Sequence, residues 1–222
     1  MMKKRFVVAL LASVVLSNFA ARASAALVIS EAMSSPSVTA DWFELTNTGA
    51  AAATITGNRM DDNTFAFANS VELLGVASLA PGESAVFLES ADPANDVPAF
   101  RNFWTGSTSG LPGVQIGSYS GSGVGLSGTS GDGLIVFDSA GTILAGPVAF
   151  PSSAGADAGQ SFDAFNPTFH RSVVGQGGAF ASVGGAVHDI GSPGVAVPEP
   201  ASIVLLGTLI CGLASGCVRR RK

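Results

Sequence analysis

The chain has 222 residues, 47% of them hydrophobic and only 12% charged, with 28 glycines and 11 prolines. Apart from Arg59, Arg101 and Arg171, its eleven Lys and Arg residues sit at the two ends, while all sixteen Asp and Glu lie between Arg22 and Arg219, so that stretch carries a net −13 against −5 for the whole chain. Such a surface repels phosphate backbones and excludes nucleic-acid binding through a basic patch, and with both cysteines (Cys211, Cys217) confined to the C-terminal apolar run, no disulfide can staple the middle.

The N-terminus has three parts in order. Residues 1–5 (MMKKR) are positive, residues 6–20 are apolar with small side chains, and Ala23-Ser24-Ala25 gives the A-x-A pattern that signal peptidase accepts. This predicts a secretory signal peptide over 1–25, with Ala23 and Ala25 as recognition positions and a cut after Ala25. The Ala25-Ala26 region at the cut has no cysteine, which excludes a lipoprotein start.

From residue 26 the pattern is short apolar-alternating runs separated by Gly and Pro turns. Strands are predicted over 26–32, 41–47, 52–55, 71–74 and 84–88, with Pro81-Gly82 as the turn before the last. Residues 92–104 break the pattern: Phe100, Phe103 and Trp104 stand at i, i+3 and i+4, one face of a short helix, with Asn95 and Asp96 as cap residues. That face is expected to plug the sandwich; the alternative is an aromatic platform that stacks on sugar rings.

Residues 106–133 hold ten Gly and seven Ser and read as a long loop or loosely registered strands, with 114–116 and Tyr119 supplying a short edge strand. A hairpin is predicted over 134–138 and 142–144, extended by 148–150. Residues 152–194 read as a second loose segment, rich in Gly, Ala and Ser, and no fixed-period repeat is present. Many short strands with frequent turns indicate an all-β sandwich or barrel. The expected organisation is a signal helix over 1–25, an all-β sandwich or barrel with one short helix over 26–194, and a C-terminal segment over 195–222.

Candidate chemistry is sparse. Two histidines, His170 and His188, fall in the loose segment, and no G-x-S-x-G elbow is present. Gly123-x-Gly125-x-x-Gly128 matches a dinucleotide fingerprint by letter, but it opens no helix and reads as loop composition. Asp61, Asp62 and Asn63 are the best metal candidates, since calcium takes several oxygens, but the full D-x-D-x-D-G loop is absent and an acidic turn explains them. Two well-placed acids can hydrolyse a sugar, yet sixteen acids make chance pairs common. No cofactor, catalytic residue or Cys/His zinc cluster is expected.

The C-terminus reads VPEP, then an uncharged stretch over 201–218, then Arg219, Arg220, Arg221 and Lys222. Eighteen helical residues reach about 27 Å, close to the thickness of a hydrocarbon core, and the terminal cations act as a membrane stop with both chain ends on the cytoplasmic side. Pro198 and Pro200 flank Glu199 and keep the backbone before the span extended and open to a protease.

These three parts resemble the PEP-CTERM sorting signal of Gram-negative bacteria. The resemblance implies recognition by a membrane exosortase, a cut near Pro198, Glu199 and Pro200, and transient residence in the inner membrane. The middle resembles a lamin-tail domain in LVISE (27–31), DWFELTN (41–47), LAPGE (79–83) before AVFL (85–88), LSGTSGD (126–132) before LIVFD (134–138), and GSPG (191–194). That resemblance implies an immunoglobulin-like module without known catalytic residues. The expected protein is a non-enzymatic component of the cell envelope, cell surface or extracellular matrix, with signal peptidase and exosortase as processing partners and exopolysaccharide or surface proteins as binding partners. The rival expectations are a small carbohydrate-active enzyme and a calcium-dependent adhesion module.

Overall fold

The computed structural model describes residues 24–151, 158–165 and 170–195. The stretches expected to form the signal peptide (including Ala23) and the sorting segment (Pro198, Glu199, Pro200, 201–218, Arg219, Arg220, Arg221, Lys222) lie outside the described residues. Among the described residues no helix is long and apolar enough to cross a membrane.

The body is a two-layer β-sandwich with one helix. Its strands are β1 (Leu27–Met33), β2 (Trp42–Asn47), β3 (Ala53–Thr54), β4 (Arg59–Asp61), β5 (Val71–Glu72), β6 (Ser78–Leu79), β7 (Ser84–Glu89), β8 (Gln115–Tyr119), β9 (Asp132–Phe137), β10 (Ile143–Phe150), β11 (Phe162–Asp163), β12 (Phe180–Ala181) and β13 (Ile190–Gly191). The α-helix α1 spans Pro93–Thr105, and a 3-10 turn covers Phe67–Asn69. One sheet has the order β11-β1-β2-β7-β8 and the facing sheet β10-β9-β4-β5; β3-β6 and β12-β13 form two small ladders. The β7–β8 pair is parallel, and β8 is an edge strand as expected.

The core between the sheets follows from alternation. Phe43 and Leu45 of β2, Ala85 and Phe87 of β7, and Leu134 and Val136 of β9 all belong to it. Successive strand side chains point to opposite faces, so Trp42, Glu44 and Thr46 must face outward from the same β2. In β1 a register irregularity between Ile29 and Glu31 inserts Ser30. Ile29 and Ala32 can therefore both enter the core while Glu31 and Met33 turn out.

That outward face is not left to solvent. All six residues of β2 are buried. Phe100, Phe103 and Trp104 of α1 cover its apolar end, packing on Met33, Trp42, Val86 and Leu88 as a second core. Trp42 meets Phe100 and Trp104 edge-on, with centroids 5.8 and 5.9 Å away, the favoured arrangement of ring quadrupoles.

Two expectations for this helix are corrected. Its aromatic face covers the outside of the five-stranded sheet instead of plugging the space between the sheets. The three rings are only 1–3% exposed, so they offer no platform to a sugar. The helix also begins earlier than Asn95 and Asp96 suggested: Pro93 is its first residue, and Asp92 precedes it and accepts Asn95 Nδ2–H through its side chain at 2.6 Å. Gly106, in the left-handed region, ends it.

Candidate functional site

The polar end of the same outward face carries the most concentrated chemistry. Glu31 and Glu44 are direct cross-strand partners on β1 and β2, and they are 1% and 2% exposed. What covers them is the segment read from the sequence as loose. Ser161 and Ser172 donate their hydroxyls to Glu31 Oε1, the latter at 3.1 Å, and Ser192 N–H donates to the same oxygen at 2.8 Å. Ser192 Oγ–H donates to Glu31 Oε2 at 3.1 Å, and Gly194 N–H donates to Glu44 Oε2 at 2.5 Å.

The sandwich supplies the other partners of Glu44. Ser30 Oγ lies 2.6 Å from Glu44 Oε1 and 2.9 Å from Thr46 Oγ1, which in turn lies 2.7 Å from Ser84 Oγ. Burial pushes both glutamates above the usual carboxylate range, and the neighbouring Glu31 charge adds to the rise at Glu44. Glu31, with four hydrogen bonds donated to it, is the better home for a negative charge. Glu44 is the better home for a proton; protonated at Oε1 it donates to Ser30 Oγ in place of accepting from it.

A second clasp lies nearby. Asp189 accepts Ser37 N–H through both carboxylate oxygens, at 3.1 and 3.0 Å, and Ser37 Oγ–H at 2.5 Å. Burial raises its pKa against the lowering effect of those bonds. Asp189 N–H is bonded in turn to Ser182 Oγ, and Ser182 O contacts His188 Nδ1. His170 stacks on Phe162 with centroids 5.8 Å apart. Among the described residues, no hydrogen bond joins either histidine to a serine hydroxyl.

One end of the sandwich is strongly negative. Asp41 is pushed up to about 7 by burial and by the charges of Glu89 and Asp132. Tyr119, buried in the core beside Phe43, has its hydroxyl pushed well above its ordinary value by burial and by these acids. Asp132 is tied down locally, accepting Ser127 N–H at 2.5 Å and its neighbour Gly133 N–H at 2.8 Å.

Of the candidate cation residues, Asp61 ends β4, and Asp62 and Asn63 lead into the turn that follows it. Asp61 Oδ2 accepts Thr64 Oγ1–H and Ala66 N–H, both at 2.7 Å, and Asp62 Oδ1 accepts Thr64 N–H at 3.3 Å. Among the described residues no group of three or more His, Cys, Asp or Glu side chains is placed to hold a metal ion. Gly123, Gly125 and Gly128 lie in the loop before β9 with no helix after them, as loop composition requires.

Ala25, the expected cleavage position, is exposed just before β1. The next residue, Ala26, is bound to the body: its N–H donates to Asn47 Oδ1 at 3.2 Å. Asn47 also accepts Gly49 N–H at 3.0 Å and donates to Ala51 O and Leu79 O at 2.8 and 3.0 Å.

Sequence reasoning missed the Glu31–Glu44 pair. A usable signal was present: Glu31 sits among the apolar and small residues of β1 and Glu44 between Phe43 and Leu45 of β2, where a solvent-facing position normally recurs every second residue. Pairing of β1 with β2 was needed to bring the two together.

A family model described as the Lamin Tail Domain matches residues 20–149 of the chain. That match reaches from before β1 almost to the end of β10. The residues that cover Glu31 and Glu44 lie beyond it, although they contribute β11 to the five-stranded sheet. No curated protein and no solved structure matches the chain.

Proposed function

The chain belongs to the lamin tail domain family, and from that premise we propose that it is an exported, non-catalytic β-sandwich module of the cell envelope or extracellular matrix. In this reading signal peptidase cuts after Ala25, and an exosortase recognises Pro198, Glu199 and Pro200 and removes the span and its terminal cations.

The observation that carries the non-catalytic part is the state of the carboxyl pair. Glu31 and Glu44 have the composition of a hydrolytic centre. Yet both are buried, and their oxygens are occupied by donors from β1, β2 and residues 161–194. A substrate would have to displace the protein's own chain to reach them. The cut expected after Ala25 leaves β1 whole, and Asn47 holds the new first residue. Export itself is supported by the order of charged and apolar segments at the two ends and by the acidic, cysteine-free body.

Intact mass spectrometry of the native protein tests the processing. The expected mass runs from Ala26 to the neighbourhood of Pro198, with any attached group as the excess. A mass that includes Met1 and Lys222 overturns the reading. Turnover of polysaccharides by the processed protein would favour the carbohydrate-active enzyme instead. A calcium-dependent rise in melting temperature, lost in the Asp61→Asn, Asp62→Asn double variant, would favour the adhesion module.

A further inference from the structure

Residues 158–165 and 170–195 pair with the edge of the five-stranded sheet through β11 and cover the polar end of its outward face with Ser161, Ser172, Ser192 and Gly194. Their hydrogen bonds there converge on two acids facing each other across one strand pair. We propose that these residues form a strap whose closure depends on a proton held at the Glu31–Glu44 pair, fast in acid and loosened as the pair ionises. This inference does not rest on export or on sorting.

The geometry requires the proton. Two carboxylates on directly opposed residues, taken out of water, repel strongly unless a cation or a proton intervenes. Among the described residues, none of the hydrogen bonds to the pair comes from a cation. Arg171, beside Ser172 on the strap, donates to Gln160 O and Pro151 O. Arg101 of α1 donates to Gly110 O, Leu111 O and Val114 O. From β7 the contribution is the Ser84 hydroxyl, with Glu83 preceding it bonded to Ala80 N–H and Gln115. On β11, the cross-strand partner of Glu31 is Asp163, an acid and not a cation. His170 is stacked on Phe162, and His188 is bonded to Ser182 O. Asp189, the strap's other anchor, is also an acid.

The direction of the pH effect follows from the shifts. Burial pushes Glu31 up to about 7, and burial with the neighbouring Glu31 charge pushes Glu44 up to about 8; with the strap open, both meet water and return to the ordinary range. A raised carboxyl pKa means that closure is strongest below the ordinary value near 4.5 and weakens as the pH rises through the closed-state values. Asp189, also raised, acts in the same direction. Each proton lost on opening multiplies the opening constant about tenfold per pH unit.

Amide hydrogen exchange of the full chain, corrected for intrinsic rate and followed from pH 5 to 9, is the test. The expected result is that strap peptides lose protection most steeply from pH 5 to pH 7, where both carboxyls ionise only on opening, lose about a further tenfold between pH 7 and pH 8, and then level off, while β2 and β7 keep theirs. Trypsin gives a second readout, because Arg171 is the one Lys or Arg between 152 and 195 and it is buried with Ser172. At pH 8.5 wild type is expected to be cut at Arg171 several-fold faster than Glu44→Gln, whose amide keeps the acceptor for Gly194 and the donor for Ser30 without a charge to lose. The proposal is overturned by pH-independent strap protection in wild type, or by loss of protection in strap and sandwich together. An unchanged pH slope in Glu44→Gln also overturns it. If Glu44→Gln does not fold, the wild-type profile and Glu31→Gln decide the matter by the same criteria.

Discussion

Replacing Asn47 by Ala removes the tie between the first residue of β1's approach, the end of β2 and the β3–β6 ladder. Asn47 is fully buried, and its amide makes four hydrogen bonds: two accepted at Oδ1 from Ala26 and Gly49, two donated from Nδ2 to Ala51 and Leu79. Each such bond contributes about 0.5–1.5 kcal/mol net, and a buried partner left unpaired adds its own desolvation cost. Leu79 O is the buried one; Ala26 and Gly49 can turn towards water. The expected loss is therefore about 3 kcal/mol, equivalent to a fall in Tm of about 6–12 °C for a domain of this size.

Urea unfolding followed by tryptophan fluorescence reads this directly, because Trp42 lies on the same strand. Asn47→Asp sharpens the test. It keeps both acceptor roles but turns a carboxylate oxygen toward two carbonyls, so it should cost at least as much as Ala at neutral pH and recover in acid. A loss below about 1 kcal/mol for Asn47→Ala, or an Asp variant as stable as wild type at neutral pH, would refute the reasoning that this amide closes the sandwich.

Trp104→Ala should cost about 3–5 kcal/mol, the range for removing a large buried ring, and oligosaccharides should leave the tryptophan emission of wild type unchanged; a saturable quench would restore the sugar platform. Asp41→Asn should raise stability at pH 8 and leave it unchanged near pH 3, because a carboxyl held up to about 7 destabilises the fold as it ionises; thermal melts across that range check the sign. Asp138 accepts Ala140 N–H and Thr142 N–H at 2.8 Å in the β9–β10 turn, which holds its pKa down. The stability it adds should be present above the ordinary carboxylate range and fade as the pH falls through its lowered value, a dependence that Asp138→Ala should abolish. Arg101→Lys should loosen residues 110–114 in hydrogen exchange, because an ammonium cannot reproduce the planar reach of a guanidinium to three carbonyls.

Much of the body was legible because its information is local. DWFELTN alternates, Pro81-Gly82 turns, and LIVFD with TIL reads as a hairpin; β2, β7, β9 and β10 form close to where those patterns place them. The helix was visible from three aromatics at helical spacing. Its start was displaced because Asn95 and Asp96 have cap chemistry, whereas Pro93 fixes the first turn and Asp92 lies ahead of it. β4 and β6, of three and two residues, are too short to carry a period and exist only because β9 and β3 offer them partners.

The sequence by itself determined an all-β body with a single helix, an acidic and cysteine-free middle, and the layout of charge and apolarity at the two ends. Only the tertiary structure decided that the aromatic helix covers the outside of a sheet, and that residues without periodicity seal the other half of that face. It also brought two glutamates thirteen positions apart into one buried pair. The physical reason is that alternation specifies which way a side chain points relative to its own strand, not what will lie above it. A glutamate on the outward face reads as a solvent-facing residue until a distant piece of chain takes the water away.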